Sequence, residues 1–353
     1  MNSIKIIFDG RMIDKQLHGI GRYAYEIIKG MLGKKNIILK VIVNDKDLAQ
    51  DIFRNENIDF IEIKSKFLSF KEIFEIPRTV NRYNGYIYFS PSFSSSPFIK
   101  LKSYITIHDL NHIKLNKYYS KIHLLYYKFV VKPFAKKCEK IFTVSHFAKK
   151  EIVDWLECNS DKVVVTYNGI DNKFGIKKEI EKLNQIRVKY KLPENFILYV
   201  GNKKPHKNVE TLLKAMKFLD NVLVLNGNEN ESLCEIIRNN NLQNKVKFIG
   251  YIKDDDLPYI YNLAKCFIFP SVYEGFGLPP LEAVCCGCNV VVSDISVFKE
   301  ILKDNVYRFD KYNVNDLVMK IKLALKNKKY VDIKELKRKF NWSNTVNETI
   351  SNL

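Results

Sequence analysis

The chain has 353 residues, 46% hydrophobic and 13% aromatic, which excludes disorder and leaves room for two ordinary domains with packed cores. Its 58 basic and 39 acidic side chains leave a formal charge of +19, pointing to an anionic partner such as nucleic acid, an acidic membrane surface or a phosphorylated small molecule. No run of 18 apolar residues is present, so a membrane-spanning helix is excluded.

The opening stretch MNSIKIIFDG is too short an apolar run for a signal peptide and reads as a first strand. The seven cysteines are therefore expected in a reduced cytoplasm. Short runs rich in Ile, Val, Phe and Tyr recur at 4–10, 38–44, 58–63, 85–91, 103–110, 140–145 and 162–169. Segments with helical spacing, such as 22–32 and 150–156, lie between them. Near-continuous apolar strands alternating with helices predict a parallel sheet covered on both faces. Residues 177–191 are charged and weakly apolar and read as a connecting segment. The pattern then restarts, with strands expected at 196–201, 221–227, 245–250, 266–270, 289–294 and 306–310. The expected fold class is α/β, built from two successive doubly wound units. Ligands of such sheets sit at the carboxyl ends of the strands, and with two units the natural site is the cleft between them.

Five loops after strands carry the candidate chemistry. In DGRMIDKQLHGIGRY, Gly19 and Gly21 permit close backbone approach at a helix start, an arrangement suited to a phosphate or to a plain tight turn. His108 and Asp109 end the strand at 103–110 and either face a ligand or serve the loop. In VGNKKPHKN, Lys203, Lys204, His206 and Lys207 crowd a loop that opens a helix, which favours a phosphate site over a solvated basic loop. Asp254 and Asp256 have a chelating spacing, but three aspartates directly before a helix are what its N-terminus wants. Last comes SVYEGFGLPPLEAVCCG (271–287), where Glu274 precedes a glycine–aromatic–glycine turn and Glu282 lies in the first turn of the following helix. Pro279 and Pro280 fit that first turn. The two acids read as an acid/base couple, as acceptors for sugar hydroxyls, or, for Glu282, as a complement to the helix dipole. The C-x-x-C at 285–288 has neither a second pair nor a nearby histidine and reads as packed thiols.

Taken in order, HGIGRY, IHDL, VSHFAKKEI, YNGID, VGNKKPHKN and the E-x(7)-E of Glu274 and Glu282 resemble the retaining glycosyltransferases of family 4, which have the two-domain GT-B fold. The resemblance covers nearly the whole chain. It implies an N-terminal acceptor-binding domain at 1–172, a nucleotide-sugar-binding domain at 173–335, and a last helix in 336–353 that crosses back to the first domain. By the same resemblance, Glu274 contacts hydroxyls of the donor sugar and Glu282 the nucleotide ribose. Phe276, Gly277 and Leu278 hold sugar and diphosphate by their backbone, Lys207 binds the diphosphate, His108 faces the donor sugar, and Gly19 and Gly21 close under the phosphates. The family's second basic residue is here Asn202, which leaves Lys203 as the replacement. LNGNEN (225–230) stands where many relatives carry Gly-x-Gly near the nucleoside. The donor is expected to be a nucleotide-diphosphate sugar, mannose by resemblance, with neither metal nor pyridoxal phosphate required.

The acceptor is expected to be a glycan or polyprenyl-linked glycan of a bacterial surface polysaccharide. Residues 117–140 carry seven lysines and one glutamate among tyrosines, leucines and phenylalanines. Such a helix lies on an anionic membrane or packs its apolar side on the sheet, so the expected location is cytoplasmic, either free or peripheral on the inner face of the membrane. Two rival readings are a nucleotide-sugar 2-epimerase on the same scaffold and a basic nucleic-acid-binding protein. Against the second, the lysines are scattered rather than striped, and no nucleic acid is expected as partner.

Overall fold

The computed structural model describes residues 3–15, 19–54, 56, 58–119 and 121–353. His18 of the HGIGRY stretch lies outside them. The chain divides into two compact units, residues 1–169 with 340–353 and residues 170–339.

The first unit is a seven-stranded sheet in the order β3-β2-β1-β4-β5-β6-β7. The strands are β1 Ile4–Asp9, β2 Ile37–Val43, β3 Asp59–Glu62, β4 Ile87–Ser90, β5 Ser103–Thr106, β6 Lys140–Thr143 and β7 Val163–Val165, and every pairing is parallel. Alternate residues feed opposite layers, which is why the strands read as unbroken apolar runs. Ile6, Phe8, Phe89 and Phe142 pack under the helix Ile20–Leu32, with the phenylalanine rings stacked at 4.9 and 5.6 Å. Ile7, Tyr88, Ile105 and Ile141 face the other way, onto Phe134 and its neighbours. Truncating a buried ring such as Phe142 to alanine removes about 3–5 kcal/mol. The last helix, Trp342–Ser351, packs on Ile20–Leu32, where a Cβ at Gly30 would collide with Val346.

The second unit is a six-stranded parallel sheet in the order β10-β9-β8-β11-β12-β13. Its strands are β8 Phe196–Tyr199, β9 Val222–Leu225, β10 Val246–Phe248, β11 Cys266–Phe269, β12 Asn289–Ser293 and β13 Tyr307–Phe309. The strand order reverses between β1 and β4 in the first sheet and between β8 and β11 in the second. These are the points where doubly wound sheets open a ligand crevice at their carboxyl ends.

Two expectations need correction. The segment 177–191 is no mere connector: it contains the helix Ile180–Lys189, a full member of the second unit. It buries only Ile186 of its own residues, so its apolar periodicity is faint in sequence. The aspartates at 254–256 do not cap the next helix, Leu257–Leu263. Lys173 pairs with Asp254 and Asp255, while Asp256 takes Lys189 and the Tyr190 hydroxyl. Partners 66 to 82 residues away thus outcompete the local cap.

Candidate functional site

Four of the sequence-selected loops leave the carboxyl ends of β1, β5, β8 and β11. In the second unit, two of them meet across the β8/β11 switch point. The β8 loop makes a short turn at Pro205–Lys207, passes through Asn208 at φ 54°, and starts the helix Val209–Met216. The His206 ring is buried, and its carbonyl accepts from Val272 N at 2.9 Å, with Ser271 Oγ at 3.2 Å. This clasp ties the β8 loop to the segment after β11. As a result Lys207 Nζ reaches Glu274 Oε1 at 2.5 Å, the two side chains only 12% and 13% exposed. The ammonium also lies 5.3 Å from the centre of the Phe269 ring, a favourable cation–π placement.

Past Glu274 the chain turns. Phe276 is buried, and Gly277 sits at φ 97° as the residue before the helix Leu278–Cys285. A Cβ there would come 2.6 Å from Phe298 Cε1, so both the dihedral and the contact demand glycine. No side chain caps this helix and its first turn holds no acid, which leaves the positive end of its dipole for an outside anion. Glu282 falls in the second helical turn, not the first as expected, because the helix begins at Leu278. There it accepts from the Tyr261 hydroxyl at 3.4 Å. Burial, reinforced by the charge of Glu282, pushes the Tyr261 phenol well above its ordinary range, so it stays a donor.

Lys203 is placed differently from Lys207. Its ammonium donates to the carbonyls of Asn226 and Asn228 at 2.8 and 3.2 Å and lies over the Phe248 ring. Asn226 in turn accepts from Gly201 N at 2.9 Å, and Gly227 N bonds Gly250 O at 2.6 Å. Burial lowers the Lys203 pKa. Lys203 therefore holds the loop after β9 in shape.

In the first unit, Gly19 at φ 53° precedes the helix Ile20–Leu32, which no side chain caps. At Gly21 a Cβ would stand 2.5 Å from the Met12 carbonyl, so the loop after β1 lies directly against the helix start. His108 follows β5. Its Nε2 is 2.9 Å from the Pro91 carbonyl, and its ring meets Tyr23 edge-on at 4.8 Å. A carbonyl only accepts, so Nε2 carries the proton and Nδ1 presents a lone pair. Burial outweighs the Pro91 bond and lowers the His108 pKa to about 4. At neutral pH it is an uncharged imidazole.

A charge cluster at the end of β1 leaves little trace in the sequence. Arg11 Nε and Nη2 donate to Asp9 at 2.9 and 2.7 Å, Nη2 to Glu72 at 2.9 Å, and Nη1 to the Ser65 carbonyl at 3.0 Å. All three charged side chains are at most 2% exposed. Burial alone would raise Asp9, but Arg11 holds it below the ordinary carboxylate range; at Glu72 burial prevails and the pKa rises. The only local signal is an acid and an arginine flanking Gly10, since Glu72 is 61 residues from Arg11.

Among the described residues no group of three or more His, Cys, Asp or Glu is arranged to hold a metal ion. Burial raises the thiols of Cys285, Cys286 and Cys288, keeping them protonated.

Two family models match the chain, Glycosyltransferase Family 4 over residues 18–174 and Glycosyl transferases group 1 over residues 181–340. The Escherichia coli O-antigen chain mannosyltransferase B is 27% identical over 378 aligned residues, covering 99% of each chain. The Salmonella typhimurium O-antigen chain mannosyltransferase RfbU is 33% identical over 205 residues, 56% of this chain and 54% of its own. The crystal structure of Anabaena HepE in complex with UDP matches with a TM-score of 0.74 and 16% identity, over 99% of this chain and 100% of its own; at that identity the likeness speaks for the fold. Two parallel sheets of this order, matched by two family models that together run from residue 18 to residue 340, place the chain among the family 4 glycosyltransferases, with the GT-B fold.

Proposed function

We propose that the protein transfers a hexose, mannose in our reading, from a nucleotide-diphosphate sugar to a glycan or polyprenyl-linked glycan in bacterial surface polysaccharide synthesis. The anomeric configuration is retained and no metal takes part. The observation that carries this reading is the Lys207–Glu274 pair beside the uncapped helix start at Gly277. The names of the two O-antigen mannosyltransferase relatives support mannose and the polysaccharide setting.

In this reading the Lys207 ammonium turns from Glu274 to the donor diphosphate, and the freed carboxylate accepts hydroxyls of the donor sugar. The amides of Gly277 and Leu278 add their dipoles as the C1–O bond to phosphate breaks and negative charge gathers on the leaving group. The acceptor oxygen forms the new bond to C1 on the same face, and its proton passes to the departing phosphate. Glu282 holds the ribose. The lone pair on His108 Nδ1 accepts a sugar hydroxyl, and Gly19 and Gly21 give the phosphates room. The acceptor belongs to the first unit, where an open cavity of about 350 Å³ at the ends of β1 and β2 offers Asp14, Asn44 and Asp45. The enzyme works at the cytoplasmic face of the membrane.

The test is a panel of nucleotide sugars, read by thermal shift and by product analysis with and without acceptor. One donor at 100 times its dissociation constant is expected to add about 2.7 kcal/mol of stability, and to yield an α-linked product that a chelator does not diminish. Conversion of the donor sugar without acceptor would make the protein an epimerase, and an inverted or chelator-sensitive product would overturn the mechanism.

A further inference from the structure

Six large apolar side chains on the first unit, Phe70, Phe74, Phe98, Ile122, Leu125 and Phe129, are each more than half exposed. They come from three separate segments. Phe70 and Phe74 lie one turn apart at the start of the helix Glu72–Val80, and Phe74 stacks on Phe98 at 5.9 Å. Ile122 and Leu125 belong to the helix Lys121–Tyr126, which continues through a wider π turn, Tyr127–Val131, into Lys132–Lys137. Their spacing with Phe129 puts all three on one side of this rod, while Tyr126, Val130 and Phe134 bury the other. The Phe70 ring meets Tyr126 edge-on at 6.4 Å, joining the rod to the other two segments.

A single buried carboxylate gathers these segments. Glu72 accepts from the Tyr126 hydroxyl at 2.6 Å, from Leu68 N at 3.1 Å and from Ser94 Oγ at 3.1 Å, and it pairs with Arg11. The rod, the loop before Phe70 and the loop before Phe98 are thereby fixed to one another. Around them stand exposed Lys71, Lys100, Lys121 and Lys128, the last with its ammonium 5.3 Å from the centre of the Phe129 ring. Residues 116–137 contain six lysines and no acid. The nearby acids are turned inward: Glu72 is buried, and Glu75 accepts from Lys64 N and Ser65 N.

We propose that this face, assembled by Glu72, docks the protein on an anionic lipid surface, the six apolar side chains entering the headgroup boundary and the lysines meeting lipid charge. Aromatic and aliphatic groups ringed by lysine match that environment on both counts. Among the described residues no helix is long and apolar enough to cross a membrane. Docking does not depend on the transfer chemistry, and its failure would leave that chemistry untouched.

The test is flotation of the full chain with vesicles of phosphatidylcholine, alone or with 30% phosphatidylglycerol. Strong preference for the anionic vesicles, weakened by salt, is expected. Ile122→Ser/Phe129→Ser should lose at least tenfold in partitioning, and Lys121→Gln/Lys128→Gln about 30-fold, both with unchanged melting temperature and nucleotide-sugar binding. Glu72→Gln should weaken docking even where Tm shows it folded. Equal partitioning to neutral vesicles, undiminished binding by the Ser variant, or a dimer that this variant dissolves would overturn the proposal, the last by giving the face to a second copy.

Discussion

The two units keep ion clusters at the ends of their central strands, yet the clusters are built to opposite purposes. In the first, Arg11 spends its guanidinium on Asp9, Glu72 and a carbonyl, all sealed from water. In the second, Lys207 has one carboxylate partner and an ammonium still in reach of solvent, next to a helix start without a cap. A fully satisfied buried cluster fixes a shape, because losing any member strands a charge. A single accessible pair can exchange partners, as the proposed diphosphate binding requires. Burial and satisfaction, rather than charge, separate scaffold from working group.

Mutations can break this contrast. Arg11→Ala strands two buried carboxylates and should cost about 3–5 kcal/mol in urea denaturation; an unchanged midpoint would mean the cluster is not load-carrying for the fold. Gly277→Ala imposes both a left-handed φ and a collision with Phe298, and should cost about 1–3 kcal/mol. Gly19→Ala meets nothing within 4 Å of its new Cβ, so its loss, about 1–3 kcal/mol, is that of the φ 53°, ψ −119° backbone alone; an unchanged urea midpoint would show that alanine adopts this backbone without strain. Lys203→Met should weaken nucleotide-sugar binding about tenfold by loosening the loop it holds; a loss as large as that from Lys207 would mean direct phosphate contact, measurable by calorimetry.

The remaining effect is one of pH. With a folded pKa of about 4 against an ordinary 6.5, His108 takes up a proton in the unfolded chain before the native one. Its contribution to stability is therefore whole above pH 6.5 and is lost as pH falls from 6.5 towards 4. The slope of stability against pH in that window should be shallower in His108→Gln. An imidazole NMR titration centred near 6.5 would contradict the buried, neutral ring.

The legibility of this molecule followed burial. Strands covered on both faces advertise themselves, and each expected strand is present, most of them shortened at one or both ends: the run at 103–110 stops pairing at Thr106, and its remainder carries His108. The candidate turn was readable because Gly277 and the two prolines restrict the backbone wherever they stand. The helix Ile180–Lys189 was not, since one buried residue makes no period. Nor was the network around Glu72, whose partners Tyr126 and Arg11 lie 54 and 61 residues off along the chain. Lys203 and Lys207 look alike in VGNKKPHKN, and only the carbonyls of Asn226 and Asn228 tell them apart.

The most direct trial of the donor site is Lys207→Ala, assayed for sugar transfer and for nucleoside diphosphate affinity beside its melting temperature. Losing this charge should slow transfer about 100- to 1000-fold, equivalent to about 3–4 kcal/mol of barrier, and weaken diphosphate binding while the fold stays intact. A folded Lys207→Ala protein that transfers sugar at the parent rate would contradict the assignment of the diphosphate to this turn.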